Sequence, residues 1–428
     1  MAGVVVIGAG LAGARTCSAL RAAGVREEVV LLGAESDAPY DRPPLSKDPE
    51  AEVDLRDSMG IDVWSAADVR LGVAGTRLRG RAGGPGESST LVVECSDGSE
   101  LAAAAVVLAT GADPVLPRGW ARSGVHVLHT RAQSVSFWGQ VHPGSRLAIV
   151  GGGWVGCEAA ATAARRGARV ELFEVGAQLL GGRIPAQVSD WVSAWLAELG
   201  VRVHADHQVA GLDEVSGSLA VEGRATDVVL AALGVRPATA WLGGADVPRS
   251  ESGAVLVDGW GRSGLPGVFA VGDAAARWSA RYSAHLPGGH WTEALNAPEA
   301  LAPVVAEWVR GPMGGSRWAS APESAPVDPI PYVFSDLGGK MLLVLGEAAS
   351  GRVVWRNSSD VDSGSDAWTA FSVDDSDRLL GMSTVGRPRD VAVARRAMLA
   401  DPRGAPRTDP SALVDPAAAP AAMFPGEG

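Results

Sequence analysis

The sequence predicts an α/β protein, because one strand–turn–helix pattern occurs twice and the same glycine spacing marks both copies. Each copy has an apolar run, then the pattern G-x-G-x-x-G, then a helical stretch. The glycines are Gly8, Gly10 and Gly13 in the first copy and Gly151, Gly153 and Gly156 in the second. The first glycine forms a tight turn, the second lets the backbone approach a pyrophosphate, and the third lets helix and strand pack closely. Two Rossmann-like dinucleotide-binding domains are therefore expected.

An acidic residue ends the second predicted strand of each copy. Glu35 lies 22 residues after Gly13, and Glu174 lies 18 residues after Gly156. A carboxylate at this position accepts hydrogen bonds from ribose hydroxyls and repels a 2′-phosphate. Because no arginine follows Glu174 closely, NADH is expected rather than NADPH. We expect one site to hold FAD and the other an exchangeable nicotinamide nucleotide, with hydride passing between them.

The rest of the chain predicts a return to the first domain and then a third, smaller domain. The phrase GVFAVGDAA at 267–275 is an apolar strand that by position rejoins the first copy. A connector rich in Pro and Ser at 320–331 precedes further strands, which predict a small α+β domain. The resulting domains are residues 1–113 with 241–320, residues 114–240, and residues 321–405. Residues 406–428, rich in Ala and Pro, are expected to form a disordered tail.

The composition excludes several classes of protein. The 428 residues are 46% hydrophobic and 20% charged, and no run of eighteen apolar residues occurs, so no membrane-spanning helix is expected. The N terminus lacks the basic region of a signal peptide, so a cytoplasmic protein is expected. The formal net charge of −12 argues against general nucleic-acid binding. The sequence has no G-x-S-x-G motif, and its seven histidines form no ligand cluster, so neither a serine hydrolase nor a metal site is expected.

The three cysteines limit the redox chemistry. Cys17, Cys95 and Cys157 lie far apart, and no two form a C-x-x-C pair. Each is expected to be a small buried residue with a reduced thiol. A disulfide-reductase mechanism is therefore excluded, and no cysteine near residue 42 offers a peroxidatic thiol. A bound flavin must pass its electrons onward itself.

Seven phrases, in this order, resemble those of the NADH-dependent ferredoxin reductases that serve Rieske oxygenases and haem monooxygenases, the putidaredoxin reductase-like family. They are PYDRPPLSK at 39–47, ATG at 109–111, GGGWVGCE at 151–158, GVFAVGD at 267–273, HWTEA at 290–294, PYVFSD at 331–336 and RPRD at 387–390. The resemblance covers residues 3–400. It implies that the domain formed by 1–113 and 241–320 binds FAD non-covalently and that the domain at 114–240 binds NADH.

The resemblance also implies roles for individual residues around the flavin. Arg42 matches a position beside the cofactor, and Asp273 matches the residue that holds the ribityl chain, with Thr110 and Gly111 nearby. Trp291 matches a tryptophan near the flavin ring. Two of these residues have simpler alternatives, since Asp273 would also suit a helix N-cap and Trp291 would also suit a protein core.

Lys47 and Glu158 match a pair that approach each other near the flavin N5 in relatives. Together with Trp291 they are the catalytic candidates. A charge pair there would position the nicotinamide and stabilise charge on the reduced flavin. The alternative is an ordinary interdomain ion pair.

Four positions depart from the family pattern around the predicted flavin ring. Gly289 replaces an acid, Phe334 replaces a tryptophan, and Asn296 and Ala297 replace an acid and an amide. These departures bear on the electron acceptor more than on cofactor binding.

The predicted function is NADH:ferredoxin oxidoreduction, with single electrons passed to an iron–sulfur ferredoxin that feeds an oxygenase. One alternative is a flavoenzyme of the same fold that acts directly on oxygen or a small organic substrate. Another is a redox-sensing or interaction flavoprotein with slow turnover. Because ferredoxins are usually acidic, docking requires a local basic patch. The candidates are Arg277, Arg281, Arg310 and Arg387.

Overall fold

A computed structural model describes residues 2–48, 51, 53–81, 90–215, 218–311, 318, 326, 328, 330–357, 367–401 and 404–425. The helices are α1 (Leu11–Ala22), α2 (Leu55–Met59), α3 (Val63–Ala66), α4 (Arg131–Trp138), α5 (Trp154–Arg165), α6 (Ala186–Glu198), α7 (Trp291–Arg310), α8 (Pro388–Ala400) and α9 (Pro410–Val414). Short 3₁₀ turns are Pro43–Ser46, Ala240–Leu242, Gly272–Ala274 and Pro420–Met423.

The strands up to residue 150 are β1 (Ala2–Ile7), β2 (Val29–Gly33), β3 (Asp68–Leu71), β4 (Gly75–Arg81), β5 (Thr90–Cys95), β6 (Glu100–Leu108), β7 (Ala112–Pro114), β8 (Val125–His126) and β9 (Arg146–Val150). Those that follow up to residue 287 are β10 (Arg169–Phe173), β11 (Arg202–His204), β12 (Leu212–Val215), β13 (Ser218–Val221), β14 (Arg224–Ala225), β15 (Val228–Ala231), β16 (Val235–Pro237), β17 (Val255–Val257), β18 (Val268–Ala270), β19 (Ala275–Ser279) and β20 (Ala284–Pro287). The last five are β21 (Tyr332–Leu337), β22 (Lys340–Gly346), β23 (Arg352–Asn357), β24 (Trp368–Val373) and β25 (Leu379–Val385).

The chain divides into two compact units. The first unit contains residues 1–41, 52–113 and 235–329, and the second contains residues 42–51, 114–234 and 330–428. The residues after 330 therefore group with the segment 114–234.

The first unit is built on one sheet with strand order β3-β2-β1-β6-β5-β4, and β18 also pairs with β6. The strands β1, β2, β3, β6 and β18 are parallel, whereas β4 and β5 pair in antiparallel fashion. Every residue of β2 is buried, as expected for a parallel strand covered on both faces. The helices α1 and α7 pack on one face, where Leu20 and Leu301 are fully buried in the same apolar cluster.

The second unit combines a parallel sheet with an antiparallel one. The parallel sheet has the order β11-β10-β9-β15-β8, and the antiparallel sheet has the order β21-β22-β25-β24-β23. Trp191 and Trp195 of α6 lie in one apolar cluster with Leu337 and Trp368 of the antiparallel sheet. This arrangement confirms the predicted fold class, which is two Rossmann-like domains with a C-terminal α+β domain.

The prediction of a disordered tail at 406–428 is wrong for residues 406–425, and residues 426–428 lie outside the part of the chain that the structure describes. These residues form α9 and a 3₁₀ turn, and Leu413 and Met423 are almost fully buried against the antiparallel sheet. The buried Arg356 donates a hydrogen bond to the carbonyl oxygen of Ala412 at 2.7 Å. The buried apolar side chains and this main-chain hydrogen bond hold the segment in place, although its Ala and Pro content alone predicted disorder. Within the described part of the chain, no helix has both the length and the apolar character needed to cross a membrane.

Candidate active site

The first glycine motif forms the turn between β1 and α1. A Cβ on Gly8, whose φ is +111°, would lie 2.1 Å from the carbonyl oxygen of Ala109, and a Cβ on Gly13 would lie 1.8 Å from the carbonyl oxygen of Gly8. A Cβ on Gly10 would meet no atom within 4 Å. Gly10 is also the N-cap of α1 and, as a glycine, has no side chain to cap the helix. The first and third glycines are thus required by the packing of the protein, whereas the second leaves room and open N–H groups for a pyrophosphate.

The second glycine motif repeats this geometry between β9 and α5. A Cβ on Gly151, at φ +113°, would lie 2.2 Å from the carbonyl oxygen of Ala232, and one on Gly156 would lie 1.9 Å from that of Gly151. Gly153, the N-cap of α5, faces open space in the same way as Gly10 and provides no capping side chain. The residues present therefore fit two dinucleotides, one in each unit.

Both predicted ribose acids are held in place by hydrogen bonds. Glu174 Oε2 accepts from the Gly152 N–H at 2.6 Å, and its Oε1 accepts from the Gly176 N–H at 2.7 Å. Each carboxylate oxygen can accept a further bond, so Glu174 is oriented beside the glycine loop with capacity left for ribose hydroxyls. Glu35 accepts from the Tyr40 hydroxyl at 2.6 Å.

The loops after β6 and β18 carry the other FAD candidates of the first unit. The Thr110 hydroxyl donates to the Ala238 carbonyl oxygen at 2.8 Å. Gly111 has φ +70° and faces open space. Asp273 lies inside the 3₁₀ turn that follows β18, whose N-cap is Val271, so Asp273 is not a helix N-cap.

Trp291 begins α7 and is only partly buried, so it is not a core tryptophan. Its indole Nε1 donates to Asp41 Oδ1 at 2.8 Å, which fixes the ring. Among the departures from the family pattern, Gly289 has φ +121°, a conformation that an acid would adopt only under strain. Asn296 is exposed and Ala297 is buried.

The basic patch expected for docking is corrected at two of its four residues. Arg277 is 3% exposed, and its Nη2 lies 3.3 Å from Glu293 Oε1. The Arg281 side chain is 8% exposed, and its Nε lies 3.9 Å from Asp328 Oδ2. Buried and paired arginines cannot present charge to a partner. The other two candidates bond main-chain oxygens: Arg310 is exposed and donates to Ala23, and Arg387 is partly buried and donates to Ala367.

The structure brings Lys47 and Glu158 together in the second unit. Lys47 follows the 3₁₀ turn Pro43–Ser46, and its Nζ lies 2.8 Å from Glu158 Oε2. Glu158 lies on α5, the helix that begins at the second glycine motif, and its side chain is 7% exposed. Arg42, at the start of the same turn, donates to the carbonyl oxygen of His129.

Two further residues at Glu158 escaped the sequence reasoning. Ser46 Oγ donates to Glu158 Oε2 at 2.5 Å, and Ser335 Oγ donates to Glu158 Oε1 at 2.6 Å. Both serines lie in the phrases PYDRPPLSK and PYVFSD. Nothing in a single sequence, however, indicates that those phrases meet at one carboxylate.

The three cysteines are buried and unpaired. Burial raises the pKa of the Cys17 thiol to about 12 and also raises the pKa of Cys157. Because all three thiols are buried, we expect a thiol reagent at pH 8 to label none of them in the folded protein and all three in guanidinium chloride, where each is exposed and reacts as the thiolate. Labelling is measured from the absorbance of the released chromophore, and rapid labelling of a thiol in the folded protein would contradict this expectation.

No group of three or more His, Cys, Asp or Glu residues suited to a metal occurs in the described ranges.

Comparison with known proteins agrees with this geometry. The pyridine nucleotide-disulphide oxidoreductase family matches residues 2–297, and the reductase C-terminal family matches residues 332–422. The chlorobenzene dioxygenase ferredoxin reductase component of Cupriavidus sp. (strain PS12) is 33% identical, over 96% of this chain and 95% of its own. The biphenyl dioxygenase system ferredoxin–NAD(+) reductase component of Paraburkholderia xenovorans (strain LB400) is 32% identical, over 83% of this chain and 84% of its own.

A solved structure shares the fold. The covalent putidaredoxin reductase–putidaredoxin complex matches with a TM-score of 0.79 and 24% identity, over 97% of this chain and 96% of that one.

Two dinucleotide sites without a reactive thiol define an oxidoreductase that uses FAD and NADH. The chain belongs to the pyridine nucleotide-disulphide oxidoreductase family and, within it, to the ferredoxin–NAD(+) reductases.

Proposed function

We propose that this chain is an NADH:ferredoxin oxidoreductase that supplies electrons to an iron–sulfur ferredoxin, which in turn feeds an oxygenase. The main support for this proposal is that both glycine motifs have the geometry of a dinucleotide site in a chain whose three thiols are all buried. When bound, FAD supplies the chemistry, since it accepts a hydride and releases electrons one at a time. A cytoplasmic location is part of the proposal, because it agrees with unpaired cysteines.

The first unit is proposed to hold FAD. The N–H groups at the start of α1 would bind the pyrophosphate, and Glu35 would bind a ribose. Trp291, kept in place by its bond to Asp41, would support the flavin ring, and Asp273 would hold the ribityl chain. The other residues of this unit proposed to contact FAD are Gly8, Gly10, Gly13, Thr110 and Gly111.

The second unit is proposed to hold NADH, with its pyrophosphate at the start of α5 and its adenine ribose on Glu174. The Lys47 and Glu158 pair would then orient the nicotinamide. Glu158 lies about one turn past Trp154, the first residue of α5, so a nucleotide bound at the start of this helix would lie near the pair.

Replacing Glu174 tests the ribose contact. We expect Glu174→Ala to raise the Kd for NADH roughly tenfold, because hydrogen bonds to a charged group contribute roughly 1.5–3 kcal/mol. The Kd is measured from the NADH dependence of flavin reduction. Glu171→Ala is the matched control, since Glu171 lies on β10, the strand that Glu174 follows, but its Oε2 pairs with His204 Nε2 at 3.1 Å. An NADH Kd that is unchanged in Glu174→Ala would exclude the ribose role.

The acceptor is tested by a coupled assay. Purified protein receives NADH and cytochrome c, with and without the iron–sulfur ferredoxin of a dioxygenase system. We expect cytochrome c reduction to depend on the ferredoxin. Fast NADH consumption with oxygen alone, unaffected by ferredoxin, would instead favour a flavoenzyme acting directly on oxygen. Flavin that NADH reduces only slowly would favour a redox sensor.

A further inference from the structure

Glu158 is a buried carboxylate that receives three hydrogen-bond donors. Its Oε2 accepts from Lys47 Nζ at 2.8 Å and from Ser46 Oγ at 2.5 Å, and its Oε1 accepts from Ser335 Oγ at 2.6 Å. Ser46 is 6% exposed, Ser335 is fully buried, and Glu158 is 5% exposed. Charged hydrogen bonds made away from water are among the strongest in proteins, so this carboxylate has one well-defined orientation.

The donors come from separate parts of the second unit. Ser46 and Lys47 belong to the 3₁₀ turn and its end, whereas Ser335 lies on β21 of the antiparallel sheet. The turn is itself anchored, because the Leu45 carbonyl oxygen accepts from Ser134 Oγ and from Trp138 Nε1, both at 2.9 Å. The orientation of Glu158 is therefore set by rigid elements on two sides.

Lys47 depends on that orientation. Its ammonium also donates to the Pro43 carbonyl oxygen at 2.9 Å. Among the described residues, these contacts use two of its three N–H groups, which leaves the third for a bound nucleotide on a side chain that is 25% exposed. If Oε1 lost its partner, the carboxylate would be held at Oε2 alone, and the direction of the third N–H of Lys47 would be less well fixed.

We propose that Ser46 and Ser335 are positioning residues for hydride transfer, acting through Glu158 to hold Lys47 in the orientation that NADH requires. The proposal rests on the proposed function. It assigns a positioning role in the site to the C-terminal antiparallel sheet, because Ser335 is one of its residues. The sheet therefore does more than cover the helices α5 and α6.

The first test compares alanine variants with a matched control. Ser335→Ala and Ser46→Ala are each expected to lower the anaerobic rate of flavin reduction at saturating NADH roughly tenfold, as for loss of one hydrogen bond to a charged group. The Kd for NADH should change less than about twofold, because the contact orients rather than binds. Ser372→Ala is the control, since Ser372 is equally buried in the same sheet and donates to the Ala348 carbonyl oxygen at 2.5 Å.

The second test separates positioning from a general effect on packing. In a Lys47→Met background, Ser335→Ala should change the reduction rate by less than about twofold, because the serine acts through Lys47. The change in oxidised-flavin absorbance when NAD⁺ is added should shrink in Ser335→Ala and return in Ser335→Thr, which keeps the hydroxyl. Thermal unfolding of each variant monitors the fold.

Equal losses of rate in the wild-type and Lys47→Met backgrounds would overturn the proposal, as would a full rate in both serine variants. If the wild-type protein itself were not reduced by NADH, the proposed function would fail instead. The two failures are thus distinguishable.

Discussion

Gly10→Val is expected to give a folded protein that purifies without FAD. Gly10 has φ −79° and ψ −173°, which a β-branched residue adopts without strain, and a Cβ there meets no protein atom within 4 Å. The isopropyl group would therefore occupy the space above the start of α1 that the pyrophosphate requires. Because several N–H contacts would be lost together, we expect the FAD affinity to fall by about 100-fold or more.

The measurement is the ratio of flavin to protein after purification, followed by an FAD titration that monitors flavin fluorescence. Gly211→Val is the matched control, because Gly211 also faces open space but lies outside both glycine motifs. Circular dichroism should be the same for both variants. One FAD bound per Gly10→Val chain, at wild-type affinity, would disprove the assignment of this loop.

Gly153→Val is expected to have the opposite phenotype, a yellow protein that NADH no longer reduces. Gly153 has φ −78° and ψ −172° and faces open space at the start of α5. A valine there obstructs the second pyrophosphate site and leaves the first unit unchanged. The Kd for NADH should rise by about 100-fold or more, for the same reason as at Gly10.

Two measurements on the same Gly153→Val sample, its flavin content and its reduction by NADH and by dithionite, check this result. The flavin content should equal that of the wild type, and dithionite should still bleach the flavin while NADH at wild-type saturating concentration should not. Normal reduction by NADH would show that the second motif does not bind the nicotinamide nucleotide. Together the two valine variants assign one nucleotide to each motif.

The parts of this account that the sequence predicted are those that depend on short segments. The close approaches at Gly13 and Gly156 involve atoms five residues away, so a local pattern identifies them. The buried parallel strands were also predicted from a local pattern, because each of them is a continuous apolar run.

The parts that the sequence missed depend on contacts between distant residues. Ser46 and Ser335 meet Glu158 across 112 and 177 positions of chain. Arg277 and Arg281 were expected to face solvent, because composition gives charge but not burial. Leu413 and Met423 order the segment after residue 405 through packing that a count of Ala and Pro cannot reveal.

In the proposed reaction, electrons pass from NADH through a bound flavin to an iron–sulfur protein. The most direct measurement is anaerobic stopped-flow spectroscopy in two steps, first mixing the protein with one equivalent of NADH, then mixing the reduced protein with oxidised ferredoxin. We expect rapid loss of the visible flavin absorbance, followed by its recovery as the ferredoxin is reduced. Flavin that stays oxidised with NADH, or that stays reduced with ferredoxin and is reoxidised only by oxygen, would contradict the proposed reaction.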